Sequence, residues 1–328
     1  MIVVTGGAGF IGSNLIAELE GRGEKEIVIC DRLRQADKWQ NISKLEPAAI
    51  VFPEQLPDFL ERNTSRIQTV FHMGAISSTL ETDVDLIVST NLQLSSNLWR
   101  WCAENEVPFI YASSAATYGD GSAGFDDDGT IASLACLRPM NPYGWSKNLF
   151  DRRVARWVAE GAVAPPQWVG LKFFNVYGPN EYHKGAMQSL VAKSFPAAVA
   201  GGSVKLFRSH DANFSDGGQM RDFVYVQDCV SVMLWLLDHP DVSGFFNLGT
   251  GKARSFTDLI GSMFHALNME PKIAWIDTPA EIQDQYQYFT QAEMGRLRKA
   301  GYHTEFMSLE DGVGAYVRLF LATDDPYR

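Results

Sequence analysis

The sequence predicts an α/β protein: a doubly wound parallel sheet with a smaller mixed α/β lobe toward the C-terminal end. Three observations predict it. Short apolar runs of strand type alternate with helical patterns through the first half, as βαβ units require. A glycine-rich turn joins the first run to the first helix. The second half loses this regular alternation.

In chain order, Ile2-Val3-Val4 is the first strand, and a helix is expected over about 13–20. Ile27-Val28-Ile29-Cys30 is the second strand, closed by Asp31. Thr69-Val70-Phe71-His72 and Pro108-Phe109-Ile110-Tyr111 are the next two. The stretch 84–104 has helical length and mixed polarity, and 143–160 is an amphipathic helix with Leu149, Val154 and Trp157 among its apolar positions. Beyond it, 168–176 is expected as one buried strand and 209–220 as a polar, glycine-containing loop. Val224-Tyr225-Val226 is a strand followed by a helix over 228–237, and 244–248 is a further strand. Ser255-Phe256-Thr257-Asp258 has the pattern of a helix start. The polar tail, 322–328, is expected to fray. The first lobe should comprise residues 1–170 with returning segments from about 224–250, and the second, discontinuous lobe should be drawn from 171–328.

Composition narrows the function. With 328 residues and 46% hydrophobic content, the chain can bury a large core, which excludes wholesale disorder. Lys+Arg number 28 against 39 Asp+Glu, a net charge of -11 that argues against nucleic-acid binding. An anionic ligand must then be held by local cations and backbone amides against the global field. No signal-peptide pattern opens the chain and no apolar run is long enough to span a bilayer, so a cytoplasmic protein without a membrane partner is expected. Cys30, Cys102, Cys136 and Cys229 are widely spaced and fit reduced thiols, and the six histidines show no metal-ligand spacing, so no metal site is expected.

The chemistry begins at Thr5-Gly6-Gly7-Ala8-Gly9-Phe10-Ile11-Gly12. A strand precedes it and a helix follows, the context that makes a glycine triplet a Rossmann-type dinucleotide site. Gly6, Gly9 and Gly12 permit the tight turn and let the backbone approach a pyrophosphate at the helix N-terminus. Asp31 stands where an acidic residue binds ribose hydroxyls, which favours NAD. Arg32, Arg34 and Lys38 follow, and a guanidinium there can pair with a 2′-phosphate. The balance favours NADP, with NAD the alternative. Tyr143 and Lys147 are four apart and share a helix face. An ammonium beside a phenol should lower its pKa, so that the tyrosine can exchange a proton with a substrate hydroxyl while hydride moves. Ser114, at the end of a parallel strand, can hydrogen-bond the same oxygen.

These residues resemble the extended short-chain dehydrogenase/reductase family, in the branch that works on nucleotide sugars. Thr5 to Gly12 matches its TGGxGFIG motif and Tyr143/Lys147 its YxxxK. Tyr111 to Gly119, Phe173 to Pro179, Arg221 to Val226 and Asn247 to Gly251 are similar to further family segments, so the resemblance covers most of the chain. A narrower resemblance, to the 6-epimerases of ADP-linked heptoses, rests on His183-Lys184-Gly185, Phe289 to Ala292, Lys205-Leu206-Phe207 and Gly74 to Thr79. It implies that Lys184 is a second acid/base opposite Tyr143. It also implies that Phe10, Ile11, Asp31, Arg32, Lys38, Asn91 and Val176 touch the cofactor, with Met73, Gly74, Ala75, Ile76 and Ser77 lining it. Asn175, Ala186, Lys193, Arg221 and Tyr286 would line the substrate, with Phe207, Arg208, Ser209 and His210 nearby and Arg221 as a diphosphate clamp. The implied protein is a homo-oligomer, a pentamer, that inverts C6 of ADP-D-glycero-D-manno-heptose in lipopolysaccharide precursor supply. Against the family pattern, Arg32 replaces an expected Asn and Lys193 an expected His. The loop 209–220 is longer than expected, and 48–54 lacks an expected lysine.

Two other classes of function compete, another nucleotide-sugar enzyme on the same scaffold and a non-enzymatic module. A 4-epimerase needs only the serine, tyrosine and lysine, and turns the whole ketosugar. A dehydratase needs an Asp-Glu pair after the strand serine, where this chain has Ala115-Ala116. A non-enzymatic NADP-sensing module could dispense with the Tyr/Lys pair.

Overall fold

Strand β1 (Ile2–Thr5) has all four side chains buried, as do β2 (Ile27–Cys30) and β4 (Thr69–His72), so these runs carry no polar face. The computed structural model describes residues 1–34, 37–211, 213–279 and 287–328. With β3 (Ala49–Val51), β5 (Phe109–Ser114), β6 (Trp168–Phe173) and β10 (Gly244–Leu248), they form a seven-stranded sheet in the order β10-β6-β5-β4-β1-β2-β3. Every pairing in it is parallel, and Thr5 stands opposite both Cys30 and His72. The winding direction reverses between β1 and β4, and a crevice opens there beyond the strand ends. The doubly wound α/β fold expected from the sequence is the fold observed.

Helices cover both faces. On one, Leu15, Ile16 and Leu19 of α1 (Phe10–Gly21) pack with Val230 and Met233 of the helix Val226–Asp238. On the other, Trp99 and Cys102 of the helix Leu94–Glu104 meet Phe150 and Val154 of the helix Pro142–Ala159. Each such side chain contributes about 1.5–3 kcal/mol on full burial.

Two further sheets lie apart from the large one. Strands β7 (Asn175–Tyr177), β9 (Met220–Tyr225) and β11 (Ala253–Ser255) form one, in the order β11-β9-β7. Strands β8 (Val204–Phe207) and β12 (Ile273–Ile276) form a parallel pair. Their core contains Leu206, Phe223, Met263 and Tyr316. Ser255 caps the helix Phe256–Ala266 through a reciprocal capping box with Asp258, as its sequence pattern predicts.

Three expectations change. The run 168–176 is two strands, because after Phe174 the chain leaves the large sheet and Asn175 pairs with Phe223 of β9. A continuous apolar run does not reveal which neighbour takes its hydrogen bonds. The helix over 84–104 contains a π-helical segment, Val88–Gln93, which carries Asn91. The tail does not fray. Asp325 pairs with Lys44 at 2.7 Å, Tyr182 donates to the Pro326 carbonyl at 2.9 Å, and the Arg328 amide donates to Asn180 at 3.0 Å. Its polar composition suggested exposure, yet its partners lie far away in sequence. Among the described residues, no helix is long and apolar enough to cross a membrane.

Candidate active site

The glycine turn at the end of β1 is held by contacts that only hydrogen side chains permit. Gly6 has φ +66, and a Cβ on it would lie 2.6 Å from the Gly74 amide nitrogen. A Cβ on Gly12 would lie 2.3 Å from the Gly6 carbonyl oxygen. Gly9 caps α1 without a side-chain hydrogen bond, so the first-turn amides remain available to an anion. This cradle fits a dinucleotide pyrophosphate. Asp31 fixes its far wall: one carboxylate oxygen accepts from the Ala8 amide at 3.0 Å, the other from Lys38 at 2.6 Å and the Arg32 amide at 2.7 Å.

Gly6, Gly9, Phe10, Ile11, Gly12, Asp31, Lys38, Met73, Gly74, Ala75, Ser77 and Val176 all line this crevice. Ile76 and Arg32 line the adjoining cleft with Arg34. Arg32 also pairs with Glu54. Asn91 lines neither. Its carboxamide bonds both the amide and the carbonyl of Ile76 and reaches Ser146, so it acts on the crevice by fixing that loop. His183, Met187 and Phe174 line the crevice too. The residue pattern held no separate signal for Met187 or Phe174.

The helix Pro142–Ala159 begins under an Asn141 cap, whose side chain accepts from the Gly144 amide at 2.8 Å. Its first turns bring Tyr143 and Lys147 to the crevice beside Ser114. Lys147 is 3% exposed and donates to the Ala112 carbonyl at 2.7 Å. Burial pushes its ammonium down to about 8, and the Asp151 carboxylate opposes that shift. The phenol of Tyr143 is raised rather than lowered, which corrects the sequence-based expectation. Burial raises it, a hydrogen bond with Ser114 lowers it, and Asp151 raises it again. Lys147 is engaged by a backbone carbonyl, so desolvation wins and the resting phenol keeps its proton.

Below this pair lies a network that sequence reasoning missed. Asp151 and Lys172 are both fully buried and paired at 2.7 Å. Asp151 also accepts from Tyr111 at 3.0 Å and Ser113 at 2.6 Å. Lys172 donates to Thr117, which donates to the Ser114 carbonyl. The network ties the helix carrying Tyr143 to the strand end carrying Ser114. A lone Asp and a lone Lys 21 residues apart give no signal in sequence.

A second cavity, of about 520 Å³, is bordered by strands of the two small sheets. Asn175, Ala186, Lys193, Phe207 and Arg221 line it, with Lys205, Gln188 and Gln219, for which no role was expected. Arg208, Ser209 and His210 do not. Arg208 pairs with Asp216 at 3.0 Å, and His210 packs against Tyr288. Tyr286 lies outside the described residues. Lys184 lines both cavities, with Phe174, Val176 and Met187, and sits 5.1 Å from the centre of the Phe10 ring. Burial lowers its pKa, Glu181 opposes the shift and Lys193 adds to it.

The NAD dependent epimerase/dehydratase family model matches residues 2–249. An ADP-L-glycero-D-manno-heptose-6-epimerase of Nitratidesulfovibrio vulgaris is 47% identical, with 100% of both chains covered. One of Fusobacterium nucleatum is 46% identical over the same full coverage. The crystal structure of the Helicobacter pylori ADP-L-glycero-D-manno-heptose-6-epimerase superposes with TM-score 0.79 at 28% identity, covering 96% of this chain and 94% of that one. A Thermus thermophilus UDP-glucose 4-epimerase in complex with NAD gives TM-score 0.73 at 26% identity, covering 96% and 97%. The chain belongs to the NAD dependent epimerase/dehydratase family, in the group of its full-length ADP-L-glycero-D-manno-heptose-6-epimerase relatives.

Proposed function

We propose that this protein inverts C6 of ADP-D-glycero-D-manno-heptose, giving the L-glycero epimer by oxidation and re-reduction at that carbon. The observation that carries the reading is the junction of the two cavities. Tyr143 reaches the crevice from the start of the helix Pro142–Ala159, and Lys184 stands in the wall shared with the second cavity. A substrate whose nucleotide fills the second cavity would present its sugar between them.

A nicotinamide dinucleotide bound in the crevice supplies the hydride acceptor and returns the same hydride. Once its phenol has released its resting proton to solvent, the Tyr143 phenolate takes the proton of the C6 hydroxyl as the hydride leaves, and Ser114 hydrogen-bonds that oxygen. Lys147 holds positive charge close to the reacting oxygen. After the ketone turns its other face, Lys184 gives a proton to the new alkoxide. No net oxidation results, so the cofactor need not exchange between turnovers. Arg221, with Lys193 and Lys205, supplies cations for a diphosphate despite the negative overall charge. Incubating the purified chain with NADP and ADP-D-glycero-D-manno-heptose should yield the L-glycero product by NMR. Unchanged C6 stereochemistry with folded protein overturns the reading.

The cofactor is proposed to be NADP. Arg32, Arg34 and Lys38 surround one end of the crevice, and Asp31 is already engaged by Ala8 and Lys38. Replacing Arg32 with alanine should weaken NADP binding about tenfold, the scale of one charge-assisted hydrogen bond, and leave NAD binding nearly unchanged. Calorimetry with both cofactors checks this, and equal losses for the two would count against a 2′-phosphate at Arg32. Assembly as a homo-oligomer and residence in the cytoplasm are carried by the family resemblance.

A further inference from the structure

Gln219 stands immediately before β9, two residues ahead of Arg221, and lines the second cavity. It is 1% exposed, and its Nε2 has no hydrogen-bond partner among the described residues. An unpaired buried donor costs about 1–3 kcal/mol, and nothing inside the fold offsets it here. Such a group calls for an explanation, and of the buried unpaired side-chain atoms among the described residues Gln219 is the one whose residue lines this cavity.

Its surroundings define the ligand. Phe207, Phe256, Leu259 and Ile276 give the cavity apolar walls around Gln219, suited to a flat ring. Arg221 stacks on Phe256, with the guanidinium carbon 5.7 Å from the ring centre. Residues two apart along an extended chain project to the same side, about 7 Å apart. A nucleotide spaces its diphosphate and its base comparably. A glutamine carboxamide offers a donor and an acceptor side by side, the complement of the amino group and ring nitrogen of adenine.

We propose that Gln219 recognises the adenine edge of the nucleotide carrier while Arg221 holds its diphosphate. The assignment rests on the nucleotide-sugar reading above and adds the residue that selects the base.

The test is titration calorimetry of the full chain with ADP, GDP and UDP, for wild type and Gln219→Leu, together with thermal melting of both without nucleotide. Wild type should bind ADP most tightly. Gln219→Leu should bind ADP about tenfold more weakly, with GDP and UDP little changed. Its melting temperature should equal or exceed that of wild type, because the unpaired donor is gone. Unchanged ADP affinity, equal losses for all three nucleotides, or a lower melting temperature would each overturn the assignment. Failure of wild type to bind ADP would instead overturn the nucleotide-sugar reading, and this assignment with it.

Discussion

Lys184→Ala should lose C6 inversion by about 10²–10⁴-fold, the range over which a positioned acid or base acts. The first hydride transfer should survive, because in the proposed scheme that step is served by Tyr143 and Ser114. NMR of the heptose C6 signals measures the inversion, and the near-ultraviolet absorbance of reduced nicotinamide in a single turnover measures the hydride step. Loss of both would mean that Lys184 serves binding, and retention of both would remove Lys184 from the chemistry. Lys184 is only partly buried and lies over Phe10, so its truncation leaves the cores of both lobes intact.

Tyr143→Phe should have the broader effect, abolishing the hydride step and the inversion together by about 10³–10⁴-fold. The ring is retained, so packing is preserved and the loss belongs to the hydroxyl. The wild-type pH profile carries a linked signature. Lys147 is held at about 8, so below that pH its ammonium is present at the crevice. As pH rises through about 8 the ammonium is lost, and the single-turnover rate should fall. A rate flat through that range, or a Tyr143→Phe protein that still reduces its cofactor, would remove these residues from the chemistry.

Much of the cofactor half was legible from residues alone. Gly6, Gly12 and Asp31 declare themselves because a backbone contact, a steric limit and a fixed chain separation all act within one βαβ unit. The sequence also places Tyr143 and Lys147 on one face, but not their pKa values. Those depend on burial and on the Ala112 carbonyl, both set by tertiary packing. Asp151 and Lys172 stayed hidden because their pairing joins a helix to a strand across the sheet. Gln219 looked like one more polar residue in a loop, and only its burial without a partner sets it apart. The second lobe was the least legible. Its short strands pair across long separations, as Met220 does with Ser255, and carry little periodic pattern.

Phe174 alone separates the last strand of the large sheet from the first strand of the small one, and it lines both cavities. A connection this short ties the two chambers together like a rivet, so neither wall can swing far without dragging β6 and β7 out of register. The reacting sugar must therefore do the moving. In an aldoheptose ring, C6 belongs to an exocyclic arm, and half a turn about the single C5–C6 bond shows the ketone's other face. An epimerase acting at a ring carbon must tumble the whole pyranose. A cage around a rotating arm needs no gate.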